Sequence, residues 1–61
     1  MKFRDLERIL KEDGWEYIYT SGSHYFYKHP TKPGKISIPF HSNKDINPKT
    51  ANSILKQAGL K

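Results

Sequence analysis

The apolar period changes twice along this chain, and that change constrains the fold more than any other feature. Phe3, Leu6, Ile9 and Leu10 fall at i, i+3, i+6 and i+7, one stripe of an amphipathic helix. Gly14 is a natural stop for it, because glycine takes the left-handed C′ conformation without strain. No Ser, Thr, Asp or Asn precedes Phe3, so the helix start is predicted to be uncapped. From Trp15 to Phe40 the helical period is gone. Trp15–Thr20, His24–His29 and Lys35–Phe40 read as three strands rich in aromatic and β-branched residues. Ser21-Gly22-Ser23 and Pro30-Thr31-Lys32-Pro33-Gly34 separate them as turns. After a polar connection over 41–46, Asn47-Pro48 places an N-cap and a proline at the first helical position. Ala51, Ile54, Leu55 and Ala58 then restore a helical stripe, and Gly59 ends it.

Short hairpins make the three strands antiparallel. Helices at both ends of the meander can cover one face of the sheet and leave the other open. The expected architecture is therefore α+β, in the order α-β-β-β-α, with two helices on one face of a three-stranded antiparallel sheet. Sixty-one residues leave room for a single domain spanning 1–61. There is no cysteine, so neither disulfides nor thiolate zinc ligands can staple so small a core. Packing must hold it, and eight aromatic residues are the main supply. Ile36, Ile38 and Phe40 are expected to point inward. The second strand carries aromatics on both faces, and alternation alone does not say which face is buried. No apolar run approaches the roughly 20 residues of a membrane span, and the N-terminus lacks an apolar signal core. A soluble, cytoplasmic protein is expected.

Charge is distributed unevenly. Residues 1–16 carry five acids and four bases, whereas residues 17–61 carry one acid, Asp45, and seven lysines. A one-sided positive field suits a polyanion, nucleic acid above all, although a small domain also needs surface charge for solubility.

The residues that could carry chemistry cluster around the first turn. Histidine as a residue type titrates near neutrality, so His24 could take up and release a proton; as a bare residue it could equally be a polar turn residue. Gly22 allows an unusual backbone turn and close approach of a phosphate, and the Ser23 hydroxyl can donate to a phosphate oxygen. Lys28 shares the strand face of His24 but lies about 13 Å along it, near enough to grip an adjacent phosphate and too far to share the scissile one. Phe26, between them, could stack on an unpaired base, but a core position is expected for it. His29 and His41 are further histidines; His29 has the opposite strand parity to His24, and His41 could serve as an acid, an RNA contact or a cap for the loop before Asn47. Lys44, Lys49 and Lys56 spread positive charge along the connection and second helix, whose N-terminus suits a phosphate. Each of these lysines could also be a plain solvated side chain. With no cysteine and no HExxH-type spacing, no metal site is expected.

The ordered set Gly14-Trp15, Gly22-Ser23-His24, Lys28-His29-Pro30, Ile38-Pro39-Phe40-His41, Asn43-Lys44 and Ser53–Leu60 resembles the HicA family of toxin–antitoxin systems over nearly the whole chain. The resemblance implies a double-stranded-RNA-binding-domain-like fold and metal-independent cleavage of mRNA, with no cofactor. It implies His24 as the catalytic residue; beside it, the residue chemistry above gives an RNA-binding set of Gly22, Ser23, Lys28, His41, Lys44, Lys49 and Lys56. It also implies a HicB-type antitoxin partner that covers the active face. Two positions depart from the family pattern. Tyr19 stands where a basic residue is common, and Ser42 stands where Gly commonly follows the second histidine. A non-catalytic RNA-binding module is the alternative reading. A DNA-binding regulator fits less well, since neither helix is rich in the Arg and Asn that read base edges.

Overall fold

The computed structural model describes residues 1–41 and 44–61. The order is α1 (Phe3–Asp13), β1 (Glu16–Ser21), β2 (His24–Lys28), β3 (Lys35–Pro39) and α2 (Pro48–Gln57). The strands form one antiparallel sheet in the order β1-β2-β3. This is the expected α-β-β-β-α architecture. Among the described residues, no helix is long and apolar enough to cross a membrane.

Both helices close in the same way. The Trp15 N–H donates to the Leu10 carbonyl at 3.0 Å, and the Leu60 N–H donates to that of Leu55 at 2.9 Å. Each is the six-to-one bond of a Schellman motif, with Gly14 and Gly59 at positive φ between. Trp15 therefore belongs to the close of α1 and not to the first strand. Its ring is buried against the core while Glu16 begins the ladder. At its start α1 has no side-chain cap, as its sequence predicts, whereas Asn47 Oδ1 accepts from the Lys49 N–H at 2.8 Å and caps α2.

The core joins Leu6 and Leu10 of α1, Trp15, Tyr27, Ile36 and Ile38 of the sheet side, and Ile46, Ala51, Ile54 and Ala58 at α2. Ile46, the last residue of the nominally polar connection, is buried there, and its N–H donates to the Met1 carbonyl at 2.7 Å. Ile9 lies on the flank of the α1 stripe and Leu55 on that of α2, both half-buried. Phe40 lies just past β3 and is 38% exposed, yet it packs edge-on against Phe3 at 5.1 Å and near Tyr25 at 5.6 Å. Its side is the expected one, but it forms the rim of the core.

Register settles the two-faced aromatics. Tyr25 pairs with Ile38 and Tyr27 with Ile36, on the helix-covered face. His24, Phe26 and Lys28 pair with Pro39, Ser37 and Lys35 on the open face. The expectation of a core position for Phe26 is thus corrected: its neighbours Tyr25 and Tyr27 take the core face, and strand alternation sends Phe26 outward. In β1, Tyr17 pairs with Tyr27 but Tyr19 pairs with Phe26, so a β-bulge lies at Ile18. The extra residue moves Tyr17 and Tyr19, two apart, to opposite faces. Tyr17 leans on Tyr25 and Tyr27, and its hydroxyl lies 2.7 Å from Thr20 Oγ1. The buried Tyr27 hydroxyl donates to Glu7 Oε2. Burial first, and the Glu7 carboxylate second, push this phenol far above its ordinary range, so it stays a donor.

Candidate functional site

The two-residue turn Gly22-Ser23 joins β1 to β2 and sets His24 at the first position of β2. Gly22 has φ +59, the positive value that primed hairpin turns need at their first central position. A Cβ at Gly22 would meet nothing within 4 Å, so the glycine answers to backbone conformation and leaves open space beside the turn. The Ser23 carbonyl accepts from the Phe40 N–H at 2.7 Å, which ties the turn to the end of β3. His24 is exposed.

His24 opens onto a groove of about 380 Å³ between the sheet and α2. Ser37 and Pro39 of β3 form the floor beside it, and Lys49, Thr50, Ser53, Ile54 and Gln57 of α2 form the far wall. Lys49, Ser53 and Gln57 recur at i, i+4 and i+8, a polar stripe along one side of a helix whose apolar residues face the core. Lys49 is the second residue of α2, at the positive end of the helix dipole, although its own N–H is taken by the Asn47 cap. Imidazole, ammonium, three hydroxyls and a carboxamide thus converge on one open cleft. Such a set can exchange a proton and hold negative charge on a phosphate.

The site residues expected from sequence are only partly gathered here. His24 and Lys49 line the groove; Gly22 and Ser23 form the turn immediately before His24 and are not among its lining residues. Lys28 is on the His24 face but at the other end of β2, opposite Lys35. His41 is exposed just beyond β3, its carbonyl accepting from the Lys44 N–H at 2.9 Å, and neither residue is among the described residues lining the groove. Lys56 is exposed on the last turn of α2, beyond the groove lining, where a cation also complements the helix dipole. Ser42 and Asn43 lie outside the described residues. Among the described residues, no three His, Asp or Glu side chains come together as a metal site would require.

His29 has a structural place instead. Its Nδ1 accepts from the N–H groups of Thr31 at 3.0 Å and Lys32 at 3.2 Å. The proton therefore sits on Nε2, 2.8 Å from the Asp13 carbonyl, to which it donates. The ring also packs edge-on against Trp15 at 5.2 Å. Both nitrogens are committed to joining the β2–β3 loop to the end of α1, so His29 is removed as a partner for His24. Lys32 completes the same junction. Its Nζ donates to Asp13 Oδ2 at 2.6 Å and to the Ala58 carbonyl at 2.9 Å, holding both helix C-termini together. The Lys32 hydrogen bond holds the Asp13 carboxyl below its ordinary value of 3.8.

Sequence reasoning passed over the far wall of the groove, apart from Lys49. The i, i+4, i+8 polar stripe of α2 was the available signal, but only the fold sets it against β2. No curated protein matches the chain. The family model described as the HicA toxin of bacterial toxin–antitoxin systems matches residues 3–60. A 61-residue chain matched across that span, with the α-β-β-β-α order throughout, belongs to the HicA toxin family.

Proposed function

We propose that this toxin is a metal-independent endoribonuclease acting on mRNA, with His24 as its general acid/base and a HicB-type antitoxin as its restraint. The observation that supports this reading is the exposed His24 at the mouth of a groove whose opposite wall carries Lys49 and the N-terminal turn of α2. RNA brings its own nucleophile, the 2′-hydroxyl. His24 removes that proton, the 2′-oxygen attacks phosphorus, and the P–O5′ bond breaks to leave a 2′,3′-cyclic phosphate. Lys49 and the positive end of the α2 dipole stabilise the charge that builds on the phosphorane oxygens. The departing 5′-oxygen needs a proton that His24, acting as base, does not hold at that moment. Lys28 is about 13 Å along the strand from His24 and cannot reach it. Water in the open groove, or Lys49, supplies that proton in preference to Lys28 or His41. Gly22 and Ser23 give the RNA backbone room and a hydroxyl donor beside the turn. Lys28, His41, Lys44 and Lys56 lie further out, as contacts for flanking nucleotides. An acidic surface on the antitoxin complements this positive face.

The experiment is incubation of RNA with wild type and His24→Ala in EDTA, with and without the antitoxin. His24 is exposed, so the variant keeps its fold while cleavage falls by about 10²–10⁴. A folded variant that cleaves at the wild-type rate refutes the assignment. A wild type that binds RNA and never cleaves it favours the non-catalytic binding module instead.

A further inference from the structure

Beyond the groove, the open face of the sheet carries an arrangement that the cleavage chemistry does not use. Tyr19 of β1 and Phe26 of β2 stack across the strands, with ring centroids 4.7 Å apart and planes within 9°. Tyr19 is 42% exposed. Lys35 reaches across from β3, and its Nζ lies 5.7 Å from the centre of the Tyr19 ring. Lys28 stands directly opposite Lys35, and Glu16 faces Lys28 from β1. The pair exists because of the bulge at Ile18: without it Tyr19 would share the core-side parity of Tyr17. Phe26 lies two residues from His24 on the same face, about 7 Å along the strand.

We infer that this face is a base-stacking platform, on which an unpaired nucleotide next to the scissile phosphate rests its base on the Tyr19–Phe26 pair while Lys28 and Lys35 hold its phosphate. The inference rests on RNA being the ligand, as proposed above. It adds that the RNA is single-stranded where it crosses the sheet. Every base presents a π-face to an aromatic ring, whereas bases inside a duplex are already stacked and unavailable. Charge selects the occupant. Two lysines flank an aromatic patch two rings wide, with Ser21 and Ser37 on the same face by register and no broad apolar rim. A polyanion with flat apolar units fits that surface. Lys35 brings its ammonium to the Tyr19 ring from β3, across β2.

The test uses full-length protein and two probes that cannot be cleaved: a 2′-O-methyl RNA oligomer, and the same oligomer annealed to its complement. Affinities are measured at one salt concentration for wild type, Tyr19→Leu, Phe26→Leu and Tyr19→Phe, with circular dichroism confirming the fold. The leucine variants should bind the single strand about 5- to 100-fold more weakly, with little change for the duplex, and Tyr19→Phe should retain wild-type affinity. Unchanged single-strand affinity in both folded leucine variants overturns the platform. So does an equal loss on both probes. Loss of antitoxin binding with RNA binding intact also overturns it, and assigns the face to the protein partner. Since neither probe can be cleaved, failure of the His24 chemistry leaves these affinities as they are, and the two proposals fall separately.

Discussion

Replacing Gly14 by alanine should cost this protein much of its stability without touching the groove. Two penalties add. Gly14 has φ +110, a region that side chains avoid at about 1–2 kcal/mol. A Cβ there would also stand 2.8 Å from His29 Nε2, the nitrogen that bonds the Asp13 carbonyl. The ring has little freedom to retreat, because Nδ1 is held by the loop N–H groups and the ring edge rests against Trp15. Losing that hydrogen bond with its groups half-buried costs about 1–3 kcal/mol. The sum is about 2–5 kcal/mol, against a total of about 3–9 kcal/mol for a chain of this length. At about 4–8 °C per kcal/mol, Tm should fall by about 8–40 °C. Thermal and urea unfolding by circular dichroism measure this, and a second background isolates the cause. In His29→Ala the clash is gone, so the glycine substitution should cost only its backbone strain, leaving a coupling of about 1–3 kcal/mol. A Tm within about 3 °C of wild type, or the same penalty in both backgrounds, would refute the reasoning.

Other outcomes follow from the charge and the site. RNA binding should weaken with salt at a slope of about −2 to −4 in log K against log salt, as expected for about three to five lysine–phosphate contacts at roughly 0.7–0.9 each; a flat response would mean the lysines only solubilise the chain. Cleavage products should end in a 2′,3′-cyclic or 3′-phosphate and a 5′-hydroxyl, EDTA should not inhibit, and a 2′-deoxy scissile nucleotide should block cleavage; 5′-phosphate ends would remove the mechanism. The Asp13–Lys32 junction should stabilise the fold in a pH-dependent way. Because the folded carboxyl is held below 3.8, its contribution is fully present above that value and is lost as pH falls through the lower folded value. The urea-stability difference between wild type and Lys32→Met should therefore be largest near neutrality and shrink below about pH 3.8; a difference independent of pH would sink this account.

What the sequence made legible was local. Helical stripes, glycine stops, the Asn47 cap and the hairpin turns are each written within a few residues, and the element order follows from them. The parity of His24, Phe26 and Lys28 was legible too, as was the opposite parity of His29. Which face the helices cover was not, because Tyr25, Phe26 and Tyr27 are all large aromatics and polarity alone would have put Phe26 inside. The choice is made by Ile36 and Ile38 across the ladder. The bulge at Ile18 leaves no mark in composition, yet it decides where Tyr19 goes. The groove is equally non-local. Its walls come from β2, β3 and α2, and only pairing and packing bring His24 opposite Lys49.

The histidine that opens β2 and the one just past its end stand in opposite environments. His24 and the neighbouring His29 lie five residues apart, about 17 Å along an extended chain. At the His29 end, Asp13, Lys32, Thr31 and the helix termini use both ring nitrogens, so a proton moved there would break the junction of α1 with the β2–β3 loop. At the other end, no hydrogen bond engages the His24 ring among the described residues, and it faces a groove open to solvent. The same division applies to the lysines. Lys32 is held as a structural clamp, whereas Lys28 and Lys35 stand on the open face at the far end of β2 and Lys49 lines the groove opposite His24.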